Sequence, residues 1–290
     1  MNIELRNVGM QFGERRALKS LSMRLPDEGL LVVGGPNGAG KTVLLKLLAG
    51  VVDPTDGAIL WDGVPISARK MAYKFRLGYS PQNPTFYEEH TVIKCLTYFA
   101  QLKAIPSHLC PKRVAEVVQM IRLQAVAKRK VKHLSGGERA RLAFGIAILN
   151  DPDLLLLDEP GTDLDPEERR NLWDHIASLR PGRTIVLATH IFSGLEGLAD
   201  RLLILDDGAV VCDADVDVLL EAVAPFVWQV VDERQEVRAA WPDACLIVRK
   251  RRCGNVTEWR LLAERRPVPH AERAEPTLED AYLWVRWRGC

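Results

Sequence analysis

The 290-residue sequence predicts an α/β fold: a mainly parallel sheet covered on both faces, an antiparallel β-subdomain ahead of it, a helical insertion within it and a small α+β domain behind it. Three observations predict this. Short continuous apolar runs at residues 30–33, 154–157 and 185–188 read as strands buried on both faces. Stretches with apolar residues at helical spacing separate these runs; Val114, Val117, Val118 and Ile121 show it best. The first run leads straight into Gly34-Gly35-Pro36-Asn37-Gly38-Ala39-Gly40-Lys41-Thr42, and helix formers follow from Val43 to Leu48. Strand, glycine loop, helix is the order that a phosphate-binding loop requires.

Taken in chain order, Ile3-Glu4-Leu5 alternates, and residues 17–25 return with apolar Leu18, Leu21, Met23 and Leu25 before Pro26 ends them. These are the antiparallel N-terminal strands. Residues 83–150 are helical in pattern, with Leu142, Ile146 and Leu149 repeating the spacing, and they form the predicted insertion. A helix over residues 166–179 separates the strand-like runs at 153–158 and 184–189. Composition shifts near residue 225. Beyond it lie five of the seven tryptophans (Trp228, Trp241, Trp259, Trp284 and Trp287), which predicts an aromatic core. Residues 226–231, 245–248 and 256–262 read as short strands, the last two joined as a hairpin around Cys253-Gly254-Asn255. Thr277-Leu278-Glu279-Asp280 has the form of a helix N-cap with an acidic third residue, opening a final helix through Trp284. The domain assignment that follows is 1–217 for the main domain and 218–290 for a C-terminal accessory domain.

Composition excludes several classes. With 39 Lys+Arg against 38 Asp+Glu the net charge is +1, so no global field draws the chain to nucleic acid or an anionic membrane. The cluster Arg249-Lys250-Arg251-Arg252, beside the expected hairpin turn, reads as solvated surface. A hydrophobic content of 47% with 27% charged residues is that of a globular protein, not of a disordered chain or a fibre. The apolar runs fall far short of the roughly 18 residues that a membrane-spanning helix needs. Met1-Asn2-Ile3-Glu4-Leu5-Arg6 lacks a basic segment followed by an apolar stretch, so a cytoplasmic protein is expected. The six cysteines (Cys95, Cys110, Cys212, Cys245, Cys253 and Cys290) have no Cys-x-x-Cys spacing and are expected to be reduced thiols.

The stretch from Gly35 through Pro36, Asn37, Gly38, Ala39, Gly40 and Lys41 to Thr42 fits the Gly-x-x-x-x-Gly-Lys-Thr loop. Its glycines let backbone amides close around phosphates at a helix N-terminus, where the dipole favours anions. Lys41 is placed to reach the β- and γ-phosphates, and the Thr42 hydroxyl to hold Mg²⁺. The apolar run at 154–157 ends in two adjacent carboxylates. Of these, Asp158 can hold Mg²⁺ through its water and Glu159 can polarise an attacking water. A phosphate loop followed by a strand ending in carboxylates predicts a P-loop NTPase core.

Leu134-Ser135-Gly136-Gly137-Glu138 stands just before a helix. Together with Phe12, the phosphate loop, Gln82, the carboxylate strand and His190 in their usual order, it makes residues 1 to about 215 resemble the ATP-binding cassette family, the motor subunits of ABC transporters. The resemblance implies ATP and Mg²⁺ as cofactors and hydrolysis of ATP to ADP and phosphate. It implies two cassettes, identical or not, packed head to tail, with each ATP between one subunit's loop (Gly35 to Val43) and the other's Ser135, Gly136, Gly137 and Glu138. Phe12 would stack on the adenine. Gln82 would contact the metal beside Thr42 and Asp158, and Glu159, His190 and Gln82 would form the catalytic group. A separate integral-membrane permease is the implied partner, docking near residues 82–89 and holding the protein on the cytoplasmic face of the membrane; no nucleic acid is expected. The ending Glu275-Pro276-Thr277-Leu278-Glu279-Asp280-Ala281-Tyr282 resembles that of a subgroup serving drug, antibiotic or polysaccharide exporters, which favours export. The alternative is a soluble ATP-gated protein acting as a regulator or on the ribosome or DNA. Such proteins usually carry two fused cassettes or a long coiled-coil insert, and this sequence has neither.

Three residues depart from the family pattern. Val43 stands where a second hydroxyl usually bonds the α-phosphate, an expected loss of about 1 kcal/mol. Glu138 replaces the commoner glutamine and brings a charge near the nucleotide. Asp163 replaces a small residue in the loop that usually touches the other subunit.

Overall fold

The N-terminal alternation folds as a hairpin of β1 (Ile3–Phe12) and β2 (Arg15–Arg24). Then β3 (Gly29–Gly34) runs through the glycine loop into α1 (Lys41–Leu48). The chain returns in β4 (Asp56–Trp61) and β5 (Val64–Pro65) to complete an antiparallel sheet in the order β2-β1-β4-β5. This computed structural model describes residues 2–232, 245–254 and 256–289. It divides the chain into two units, Met1–Val210 and Val211–Cys290.

The first unit continues with α2 (Lys70–Phe75), β6 (Leu77–Ser80), α3 (Val92–Leu102), α4 (Cys110–Met120), α5 (Gly136–Ile148) and β7 (Leu154–Asp158). It ends with α6 (Pro166–Leu179), β8 (Thr184–Ala188) and β9 (Arg201–Asp206). Its central sheet is parallel, in the order β6-β7-β8-β3-β9. Every residue of β3, β7 and β8 is buried, as their unbroken apolar runs require of strands with both faces covered. The chain places the glycine loop and the Asp158-Glu159 pair at the carboxyl ends of β3 and β7, strands that flank β8. That end of a parallel sheet is where open α/β folds bind ligands.

β6, too short to show a period in the sequence, sits beside β7, and Gln82 lies just beyond its end. Gly78 makes this possible: a Cβ there would come within 2.4 Å of the Ala147 carbonyl of α5. The expected helical insertion is present as α3, α4 and α5, although residues 83–91 ahead of it are irregular. Thr91 caps α3 by accepting from the Lys94 amide, and Asp165 caps α6 through the Glu168 amide.

The second unit takes in α7 (Val216–Val223), β11 (Val227–Asp232), β12 (Cys245–Cys253), β13 (Val256–Ala263), β14 (Glu272–Arg273) and α8 (Leu278–Arg288), and β10 (Ala209–Asp215) leads into it. Its sheet is antiparallel, β12-β13-β11-β14. Trp228 and Trp259 anchor its core with Val230, Leu261, Val268 and Ala271. Trp284 stacks on Phe226 with ring centroids 4.1 Å apart. Trp241 and Asn255 lie outside the described residues.

β12 is longer than its apolar pattern predicts, because the cluster Arg249-Lys250-Arg251-Arg252 continues the strand up to the turn at Gly254. These four residues are exposed. Lys250 still gains from the pairing, since its ammonium lies 4.5 Å from the centre of the Trp259 ring. Thr277 and Asp280 cap α8 reciprocally, and the helix runs beyond Trp284 to Arg288. The thiols of Cys95, Cys110 and Cys245 are free. Cys212 is not: it is disulfide-bonded, which corrects the expectation of six reduced thiols. Sequence spacing cannot reveal such a bond, since the fold decides which sulfurs meet.

Candidate active site

The loop between β3 and α1 owes its path to glycine. Gly35 and Gly40 have φ of 152° and 106°. A Cβ on Gly35 would lie 2.3 Å from the Leu205 carbonyl oxygen, and one on Gly40 would lie 2.7 Å from that of Ala17. Gly40 is also the N-cap of α1 and offers no side chain to its amides. The first-turn N–H groups are therefore left for an anion, with the helix dipole in support.

Lys41 is buried and folded over this loop. Its ammonium donates to the Gly35 carbonyl at 2.7 Å and the Pro36 carbonyl at 3.1 Å, and lies 3.7 Å from Glu159 Oε1. The Thr42 hydroxyl donates to Asp158 Oδ1 at 3.1 Å. The other oxygen, Asp158 Oδ2, is buried and has no partner. Burial holds the Asp158 carboxyl above the usual carboxylate range; the Thr42 hydrogen bond opposes this and the charge of Glu159 adds to it. An unpaired carboxylate oxygen beside a hydroxyl is the kind of oxygen donor set that suits a hard divalent cation.

Glu159 turns the chain at the end of β7 with φ of 51°, its amide bonded to the Ala188 carbonyl at 2.9 Å. Its buried carboxylate meets His190 Nδ1 at 2.9 Å and accepts from the Thr162 hydroxyl at 3.3 Å, both through Oε2. An ionised carboxylate only accepts, so His190 donates from Nδ1 in this contact.

A cavity of about 530 Å³ opens over the loop. It is lined by Asn37, Gly38, Ala39, Gly40, Lys41, Thr42 and Val43, with Phe12 at 50% exposure, Gln82 and Glu159. Pro36 and Gly35 contribute through their carbonyls to Lys41. Two further lining residues, Arg15 and Ala17, were not among those expected from the sequence. Arg15 Nη2 would lie 3.4 Å from a Cβ on Gly38. The pairing of Phe12 with Arg15 across the β1–β2 turn puts both at the cavity, so a basic residue three positions after the aromatic is the signal that could have marked it.

Gln82 also faces a second, smaller pocket of about 270 Å³, together with Asp158, Glu159, Gly136, Arg139 and Asp163. Ser135, Gly137 and Glu138 line neither space. They start α5 instead. The Ser135 hydroxyl accepts from the Glu138 amide at 3.1 Å, and the Glu138 carboxylate accepts from the Ser135 amide at 2.8 Å. A Cβ on Gly137 would lie 2.4 Å from the Glu168 carboxylate, so a side chain there would have to displace Glu168 from its ion pair with Arg141.

The model of the family described as ABC transporter matches residues 18–162, half of the chain. The Nod factor export ATP-binding protein I of Cupriavidus metallidurans is 34% identical over 221 residues, covering 76% of this chain and 73% of that protein. This chain belongs to the ABC transporter family.

Among solved structures, the ATP-binding subunit of an ABC transporter superposes with a TM-score of 0.69 at 25% identity, covering 77% of this chain and 93% of that one. The dimeric structure of a bacterial ABC transporter cassette gives 0.68 at 25% identity, covering 74% and 98%. The ABC transporter chain described here is accordingly an ATP-binding subunit, the ATP-hydrolysing motor of a transporter. Among its described residues no helix is long and apolar enough to cross a membrane.

Proposed function

We propose that this motor works with Mg²⁺ as a head-to-tail homodimer on the cytoplasmic face of the membrane and drives export through a separate integral-membrane permease. The observation that supports the dimer is the lining of the nucleotide cavity. Phe12, the phosphate loop, Gln82 and Glu159 come to it from one chain, while that chain's own Ser135, Gly137 and Glu138 stay outside it. A second copy would bring its α5 amino end to the γ-phosphate, where Ser135 can still donate its hydroxyl proton.

Thr42, Asp158 and Gln82 would hold the Mg²⁺. No cluster of three or more His, Cys, Asp or Glu among the described residues could hold a metal alone, in keeping with an ion that takes one or two carboxylates and completes its shell with phosphate and water. Bound there, Mg²⁺ would neutralise charge building up on the phosphate oxygens. Glu159 takes a proton from the water that attacks the γ-phosphorus as the bond to the ADP oxygen breaks. His190 fixes the Glu159 carboxylate through Nδ1–H, and Lys41 carries positive charge to the phosphates. Export is supported by the relatives whose name describes Nod factor export. The permease would dock near residues 82–89, the segment that begins at Gln82, and no nucleic acid takes part.

Glu159→Gln tests this reading. Glutamine keeps the shape but cannot accept the proton, so light scattering should give a monomer mass without nucleotide and twice that mass with Mg-ATP. Ser135→Arg in the same background should abolish the change. An ATP-independent mass for Glu159→Gln that demonstrably binds ATP would overturn the head-to-tail arrangement.

A further inference from the structure

Glu138 presents an electrostatic problem at the amino end of α5. A helix terminus attracts an anion through the partial positive charge of its free amides, about half an elementary charge. A carboxylate in the first turn opposes that field. Here the Glu138 carboxylate is drawn in close, bonding the Ser135 amide at 2.8 Å in the capping box. It therefore removes one donor and adds one negative charge at the place proposed to receive a γ-phosphate.

The structure supplies a counter-charge. Arg129 Nη1 lies 3.3 Å from both Glu138 oxygens. Its backbone is fixed on both sides, the amide donating to the Val126 carbonyl at 2.8 Å and the carbonyl accepting from the Val92 amide at 3.2 Å. The Glu138 side chain is 16% exposed and that of Arg129 47%, so water reaches the pair from the arginine side while the carboxylate itself is largely covered. The other cations nearby have their own partners: Lys130 and Lys132 hold Glu89 at 2.8 and 2.6 Å, and Arg139 holds Glu88 at 2.8 Å. Among the described residues Arg129 is the cation that meets Glu138.

We propose that Arg129 is a positioning residue of the nucleotide sandwich. By neutralising Glu138 it preserves the anion affinity of the α5 amino end for the ATP held by a second copy. This rests on the head-to-tail reading above. It explains how Glu138 can stand where a neutral glutamine is the commoner residue. Because the two sites of a homodimer are equivalent, the effect enters dimer stability twice.

The test uses the full chain with Glu159→Gln and light scattering against Mg-ATP concentration. Adding Arg129→Gln should raise the ATP needed for half-maximal dimerisation roughly fivefold or more, as expected for an unpaired charge close to an ionic contact. Arg129→Lys keeps the charge and should stay near the parent. Glu138→Gln should shift dimerisation to lower ATP, and combined with Arg129→Gln it should recover the loss. The recovery is the deciding outcome. If Arg129 only braced the loop, Glu138→Gln would help equally with and without Arg129, so a double variant whose gain over Arg129→Gln is no larger than the gain of Glu138→Gln over its parent overturns the proposal. So does an Arg129→Gln variant indistinguishable from its parent. If Glu159→Gln itself fails to dimerise, the head-to-tail reading falls first, and that arm identifies the failure.

Discussion

Glu159 Oε2 lies 2.9 Å from His190 Nδ1, and the opposite carboxylate oxygen lies 3.7 Å from the Lys41 ammonium. The fold thus suspends one buried acid between a cation from α1 and a histidine just past β8. Each partner limits how the carboxylate can turn. Removing the histidine should hurt the chemical step more than ATP binding, since the phosphate loop is untouched. For His190→Ala we expect kcat to fall about 100-fold, typical of a lost acid–base contact, with a far smaller change in ATP affinity. Steady-state ATPase kinetics beside an equilibrium ATP titration would separate the two. A purely proportional loss of binding would contradict this role.

Lys41 is buried, with a structural share in its loop as well as a charge to offer. Lys41→Ala should reduce ATP binding at least about tenfold, as expected for the loss of a charge-assisted phosphate contact. It should also lower stability by about 1–3 kcal/mol, because the Gly35 and Pro36 carbonyls lose their donor and the buried Glu159 loses a neighbouring positive charge. Nucleotide titration and thermal melts on the same protein check both. Retention of full ATPase turnover would remove Lys41 from the site.

Lys103 offers a pH signature independent of nucleotide. Its ammonium donates to Asn150 Oδ1 at 2.6 Å, and burial pushes its pKa down to about 8. The unfolded chain holds this proton up to about pH 10.4. Between these values the unfolded state binds more protons, so folding stability rises with pH from about 8 to 10, is complete above 10.4 and is lost on the way down. Lys103→Met should flatten that rise. Urea midpoints at pH 7.5, 9 and 10 on both proteins would show it, and parallel curves would refute it.

In the second unit, Asp280 is fully buried and accepts from Arg260 Nε at 2.9 Å and from the Thr277 amide at 2.7 Å. Asp280→Ala leaves the Arg260 guanidinium without its buried partner and uncaps α8, a cost of about 3 kcal/mol or more. Every residue lining the nucleotide cavity belongs to the first unit. ATP titration should therefore be nearly unchanged while hydrogen exchange in α8 and β13 accelerates. Equal loss of ATP binding would show the units to be energetically inseparable.

What the sequence determined by itself was the order of chemistry along the chain. Unbroken apolar runs require strands covered on both faces, the spacing from Gly35 to Gly40, Lys41 and Thr42 marks a phosphate loop, and Asp158-Glu159 must emerge where its run ends. Those are local constraints, legible wherever side-chain spacing carries the information. β6 was illegible because four residues make no period, and its place beside β7 rests on the clearance at Gly78 beneath Ala147. The continuation of β12 through Arg249, Lys250, Arg251 and Arg252 was equally hidden, since cross-strand pairing overrode a run of charge. Only the tertiary structure decided the relations between residues apart in the chain: Cys212 in a disulfide, Glu159 between Lys41 and His190, and Arg129 against Glu138. Each depends on which segments the folded sheet and helices bring within a few ångströms, and at that distance charge and hydrogen bonding act on geometry alone, whatever the separation along the chain.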